Sequence, residues 1–313
     1  MPIISVVNQK GGATKTTTSI NLAAGLSLYE TSLNSKTPGR VLLVDLDPQA
    51  NSSTVISSGL FQQYESEEHR KTITDLLYDD YPPAPSELIL TSRLPGFGGG
   101  ENLDYIPVDR GRLSGAIGKL PGVTGAETRL KDGLEAYRSM YEWIVIDTGP
   151  SFNILLRNAL AAGDFALVPF DVSGLGVSSI PDIAASINTT KSRVNRSIET
   201  IGLLPTRYDK NMMEQVDLME YVKNNYPEYW LMEPIRFRSD ITYANTEGVD
   251  IFSLRPPRSI NPSNHFDDPR AVALAETNNC THYLDEICFI SRNDSTRDFG
   301  LLLLEVLIAV KGA

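Results

Sequence analysis

The run Ile3 to Val7 is short, apolar and largely β-branched. It breaks at once into Lys10-Gly11-Gly12-Ala13-Thr14-Lys15-Thr16-Thr17, and the next stretch, Thr16 to Tyr29, carries Ile20, Ala23, Ala24 and Leu28 at helical spacing. Strand, glycine-bearing turn and helix in that order aim backbone N–H groups and a helix N-terminus at one point, an arrangement suited to an anion. The alternation returns at Val41 to Asp45, Leu103 to Val108, Trp143 to Asp147, Phe165 to Pro169 and Ile201 to Pro205, each a short apolar run beside a helix-compatible segment. Runs apolar on both faces read as buried parallel strands. The pattern therefore predicts an α/β fold, a mostly parallel central sheet flanked by helices on both faces.

A chain of 313 residues suits one large α/β core, and residues 1–313 are expected to form a single domain. Asn34 to Gly39, Tyr81 to Ser86 and Leu94 to Gly100 read as loops; the last contains GFGGG but lacks a leading strand and a following Lys-Thr pair. Residues 256–313 read as a breaker-rich connector followed by helices at Arg270 to about Ile290 and Asp298 to Val310, packed on the same domain as a C-terminal helical extension. The apolar run Phe299 to Val310 has no basic face, so it is expected in the core and not on a membrane.

Within the first loop, glycines let N–H groups face phosphate oxygens, Lys15 supplies a cation for the β and γ phosphates, and the Thr16 hydroxyl suits Mg²⁺. Gln9 stands where an ordinary phosphate loop has its first glycine, and a second lysine, Lys10, sits at the entrance. On these residues the chain resembles the deviant Walker A family of P-loop NTPases, the ParA and MinD-type ATPases, whose pattern KGGxxK[ST] it meets at every fixed position. The resemblance implies that Gly11, Gly12, Ala13, Thr14, Lys15, Thr16 and Thr17 hold ATP, and that Lys10 reaches the partner's phosphates across a nucleotide-sandwich dimer. Thr14 departs from the glycine common before the phosphate lysine. Being β-branched, it suits positive φ poorly, so either the turn keeps right-handed geometry there or nucleotide binding is weakened.

The second strand ends VLLVDLDPQANSS, with Asp45 and Asp47 two apart and hence on one side of an extended chain. It resembles the family's switch I: Asp47 would orient the attacking water, and Asp45 would help arrange the magnesium shell. Trp143-Ile144-Val145-Ile146-Asp147-Thr148-Gly149 is a buried strand delivering one carboxylate, a Walker B arrangement that assigns Asp147 to the metal. It also resembles switch II, with Gly149 where proline is common, which should leave the segment freer. Further on, the resemblance assigns Arg207 and Pro234 to the base pocket.

Lys and Arg total 28 against 39 Asp and Glu, a net charge of −11 that excludes a generally basic nucleic-acid coat. Local basic clusters at Lys191, Arg193 and Arg196, at Arg236 and Arg238, and at Arg255 and Arg258 remain candidates for DNA contact. Two cysteines, Cys280 and Cys288, exclude a disulfide scaffold and point to a reducing, cytoplasmic setting. There is no HExxH motif and no G-x-S-x-G elbow. The resemblance implies a slow, partner-stimulated ATPase with ATP and Mg²⁺ as cofactors. Such a protein forms a homodimer on ATP, binds double-stranded DNA nonspecifically at the nucleoid, answers to a ParB-like partner and serves plasmid or chromosome partition. The alternatives are a MinD-like membrane-positioning ATPase and a weakly catalytic, nucleotide-gated scaffold.

Overall fold

The computed structural model describes residues 1–12, 14–34, 39–58, 60, 70–94, 102–247, 249–254, 268–287 and 294–311. Eight strands form one sheet: β1 (Ile3–Val6), β2 (Val41–Leu46), β3 (Leu90–Thr91), β4 (Leu103–Ile106), β5 (Trp143–Thr148), β6 (Phe165–Asp171), β7 (Glu199–Tyr208) and β8 (Ile235–Arg236). Their order is β3-β4-β2-β5-β1-β6-β7-β8, and every pairing is parallel except β3 with β4. Each of the six short apolar runs read as strands supplies a strand, with Val7 and Val108 just beyond the ends of theirs.

Burial explains the continuous apolar character of the central strands. Residues of β2 alternate between two cores: Val41 and Leu43 pack on one face with α1 (Lys15–Leu33), while Leu42 and Val44 pack on the other. That second core takes Ile154, Leu155 and Ala159 of α3 (Ile154–Ala162); α2 (Asn51–Ile56) lies between the two labelled helices in chain order. Beside β6, a third cluster joins Val168 and Phe170 to Ile180, Ile183 and Ile187 of α4 (Ile180–Arg193). The helix α1 is buried nearly all round, because it lies between the sheet and the C-terminal helices.

The chain leaves β1 for β2 on one side of the sheet and leaves β5 for β6 on the other. The strand order therefore reverses around β1, and the carboxyl ends of β1, β2 and β5 meet at this switch point, where open α/β sheets place their ligands.

The C-terminal run is the core helix expected of it: in α6 (Asp294–Lys311), Phe299, Leu301, Leu302, Leu303, Leu304, Val306 and Leu307 are at most 2% exposed. The helix expected from Arg270 to about Ile290 is instead two pieces, α5 (Pro269–Thr277) and a single turn, His282–Glu286. Asn279 takes a left-handed conformation (φ +54°), and the Cys280 N–H donates to the Ala275 carbonyl at 2.9 Å, a Schellman-type stop. Pro85 opens a helical turn, Pro85–Leu88, at the end of one expected loop. Residues 35–38 and 95–100 of the other two loops, and residues 255–267 of the connector, lie outside the described residues. No helix among the described residues is long and apolar enough to cross a membrane.

Candidate functional site

The loop from Asn8 to Thr14 joins β1 to α1 and is pinned from both sides. Buried Asn8 donates its side-chain amide to the Pro169 carbonyl at 2.8 Å and accepts the Lys10 N–H at 3.1 Å. Gln9 donates to the Ser186 hydroxyl on α4 at 2.8 Å. Gly12 needs its freedom, with φ at +81°. A Cβ on Gly11 would meet no protein atom within 4 Å, so internal packing does not account for that glycine. Ala13 lies outside the described residues. Thr14 settles the geometry left open by the sequence: it is left-handed, with φ 55° and ψ 24°, and its carbonyl accepts the Thr18 N–H at 2.8 Å as α1 begins.

Lys15 folds back into the loop, 6% exposed, and donates Nζ to the Lys10 carbonyl at 2.9 Å. Burial pushes its pKa down, against the pull of the Asp147 and Asp47 charges. Asp147, fully buried at the end of β5, accepts from the Thr16 hydroxyl at 2.9 Å, the Ser19 hydroxyl at 2.9 Å and the Ser52 hydroxyl of α2. Burial raises its pKa; the three hydroxyls oppose the rise, and the nearby Asp47 charge adds to it. Asp45 is its neighbour across the β2–β5 register. Burial and then the Asp147 charge push the Asp45 carboxyl up to about 7, against donors from the Ser53 N–H, the Asp47 N–H and the Ser53 hydroxyl. Those bonds fasten the turn from β2 into α2, where Ala50 is also left-handed (φ 54°). Asp47 accepts the Gln49 N–H at 3.0 Å, and a Cβ on Gly149 would sit 3.0 Å from its Oδ1. Gly149 thus leaves room beside the Asp47 carboxylate that a side chain there would crowd.

Two carboxylates, Asp47 and Asp147, therefore act on the buried Lys15 ammonium, and a third, Asp45, lies beside Asp147; each is at most 6% exposed. That excess of negative charge, with the Thr16 hydroxyl on Asp147, is a donor set for a hard divalent cation. No group of three His, Cys, Asp or Glu among the described residues would cage a metal alone. Mg²⁺ suits such acids, since it keeps waters and phosphate oxygens and takes one or two protein carboxylates.

Beside the loop lies a cavity of about 270 Å³, walled by Thr14, Thr17 and Thr18 on one side and by Thr206, Arg207 and Ile235 to Arg238 on the other. Arg207 is left-handed (φ 58°), at the point where the β7–β8 register shifts, and its guanidinium sits 5.8 Å from the centre of the Phe237 ring. The buried Thr18 hydroxyl has no hydrogen-bond partner in the structure. Pro234 immediately precedes this wall and is not part of the cavity lining.

Lys10 is exposed at the loop's entrance, and Lys191, Arg193 and Arg196 are exposed at the end of α4. Arg236 is not a free cation of a basic patch: Asp298 holds its guanidinium, with Nη2 at 2.7 Å. Arg255 and Arg258 lie outside the described residues. Sequence reasoning missed Ser19 and Ser52. Ser19 follows Thr16 by three and so shares its helix face, a usable signal; Ser52 shows only as a serine after the switch I turn.

A phosphate loop at the switch point of a mostly parallel sheet, with strand-end acids around it, defines a P-loop NTPase fold. A family model described as an AAA domain matches residues 1–200. The sporulation initiation inhibitor protein Soj of Bacillus subtilis is 31% identical over 87% of this chain and 98% of its own length. The chromosome partitioning protein ParA of Caulobacter vibrioides is 34% identical over 68% of this chain and 73% of its own. Among solved structures, a putative plasmid partition protein from Borrelia burgdorferi bound to AMPPNP superposes with a TM-score of 0.65 at 21% identity, covering 99% of each chain. Cobyrinic acid a,c-diamide synthase from Mycobacterium smegmatis, with ATP analog and magnesium, gives 0.63 at 25% identity over 82% of this chain and 92% of the other. The chain belongs to the ParA/Soj family of the ParA/MinD-type P-loop NTPases.

Proposed function

We propose that this protein is a Mg²⁺-dependent ATPase of DNA partition or cargo positioning, which closes into a homodimer around ATP and binds DNA nonspecifically in that state. The observation that carries the reading is the Lys15–Thr16–Asp147 cluster at the joined ends of β1 and β5. Lys15, once released from the Lys10 carbonyl, has the reach and charge for phosphate oxygens, and the loop N–H groups orient them. Thr16 and Asp147, with Asp45 behind them, would hold Mg²⁺, which when bound neutralises phosphate charge. Asp47, braced by the Gln49 N–H, would accept a hydrogen bond from the attacking water and fix its direction.

Lys10 lies outside this cluster and exposed, as a residue serving a second subunit's nucleotide would be. The name of the Caulobacter relative supports a partition role, and the AMPPNP and magnesium of the structural neighbours support the cofactors. Exposed Lys191, Arg193 and Arg196, doubled by dimerisation, supply phosphate contacts for DNA, and a ParB-like activator would act on the switch segments. Burial of α6 in the core argues against the membrane-positioning reading.

The test is Asp47→Ala. The variant is expected to bind Mg·ATP and dimerise by light scattering while phosphate release falls at least about tenfold. Wild-type phosphate release in the variant would remove Asp47 from catalysis.

A further inference from the structure

We infer that the C-terminal helix belongs to the nucleotide site: buried Asp298, through Arg236, sets the cavity wall against the base, and so is a positioning residue for the base end of the nucleotide. The inference rests on the ATP reading of the site and adds a residue and a segment to it.

The wall needs a brace. It follows β8, a two-residue edge strand whose pairing with β7 shifts register between Thr206 and Tyr208. Phe237, on the wall, is 57% exposed and has little packing of its own to hold it. Beyond the pairing with β7 and the Phe237 N–H on the Tyr208 carbonyl at 2.9 Å, what fixes this end of the sheet comes from α6. Asp298, whose side chain is fully buried, accepts the Arg236 backbone N–H at 3.0 Å, Nε at 3.0 Å and Nη2 at 2.7 Å. One carboxylate thus holds both the edge strand's backbone and its guanidinium, a charge-assisted geometry that allows little rotation. Arg270 reaches the same carboxylate at 3.3 Å and is itself anchored by Asp268 at 3.0 Å. The next residue of α6, Phe299, lines the cavity directly.

Such a buried ionic network adds little net stability and fixes orientation instead. Lys15 and Thr16, which serve the phosphates, do not contact Asp298, so the effect should be confined to the base end.

The test is calorimetric titration of the full chain with Mg·ATP and with Mg·tripolyphosphate, which has the phosphates without base or ribose. Wild type should bind ATP more tightly. Asp298→Asn and Arg236→Lys should each lose about tenfold or more in ATP affinity while tripolyphosphate affinity stays within about twofold. Circular dichroism confirms folding, and if Asp298→Asn does not fold, the charge-preserving Arg236→Lys decides. Unchanged ATP affinity in a folded variant, equal loss for both ligands, or a wild type that prefers ATP no more than tripolyphosphate would overturn the inference. A wild type that binds neither ligand would instead overturn the nucleotide reading beneath it.

Discussion

Three of the five left-handed non-glycine residues among those described stand around the site; the others are Ser58 and Asn279. Thr14, Ala50 and Arg207 are all left-handed without being glycine, and they stand at the phosphate loop, the switch I turn and the cavity wall. A non-glycine residue there costs roughly 1–2 kcal/mol. Thr14→Gly should therefore raise stability by about 1 kcal/mol, after the larger chain entropy of an unfolded glycine is deducted. Thermal melts without nucleotide check this, and an unchanged or lower Tm would mean that Thr14 sits there without strain. Ser52→Ala should act in the opposite direction: it takes one donor from a fully buried carboxylate and should cost about 1–2 kcal/mol in urea unfolding. A neutral result would show that Thr16 and Ser19 suffice for Asp147. The positions of Asp45, Asp47 and Asp147 at strand ends and of Lys10 and Lys15 in the loop were legible in the sequence, because strand runs and loop spacing fix them. The partners of Ser52 and the φ of Thr14 were not, since one depends on a strand almost a hundred residues away and the other on how the loop closes.

Among the elements, α6 shows how a helix can be read for burial and still be misread for chemistry. Its apolar run placed it in the core, yet Glu305 lies inside that core at 1% exposure, with Oε1 accepting the Glu233 N–H at 3.0 Å and Oε2 unpartnered. Burial, opposed by that N–H and reinforced by the Glu233 charge, pushes its carboxyl up to about 8, while Arg270 pulls the other way. A carboxyl whose folded pKa is raised binds its proton more tightly in the folded state. The stability it contributes is complete below the ordinary value near 4.5 and is lost as pH rises through about 8. Glu305→Gln should flatten that decline and be the more stable protein at pH 9 by about 1–3 kcal/mol in denaturant titrations. A variant that keeps the wild-type slope would place the titration elsewhere. The central strands were legible as elements because both faces are apolar. β3 was not, since two antiparallel residues carry no period, and the break at Asn279 was hidden because helix-compatible residues flank it. The tie from Asp298 to Arg236 spans 62 residues and leaves no local pattern.

At the scale of the whole molecule, the net charge of −11 opposes DNA at long range, so the proposed DNA binding requires a local face made effective by the proposed pairing of subunits. Lys10→Ala should keep ATP binding but lose ATP-dependent dimerisation in light scattering, and normal dimerisation would contradict the role across the interface. Binding to random-sequence duplex DNA should require ATP and weaken steeply with salt in anisotropy titrations. Absence of ATP-dependent binding at low salt would turn the proposal toward a protein cargo. All of this depends on the cluster at the carboxyl ends of β1, β2 and β5 being a nucleotide site. The most direct measurement is calorimetric titration of Mg·ATP into the wild type and into Lys15→Ala. The account predicts a single ATP per chain in the wild type and an affinity loss of about 2–3 kcal/mol in the variant, since a buried ammonium leaves the phosphates. Equal affinities in the two proteins would contradict it.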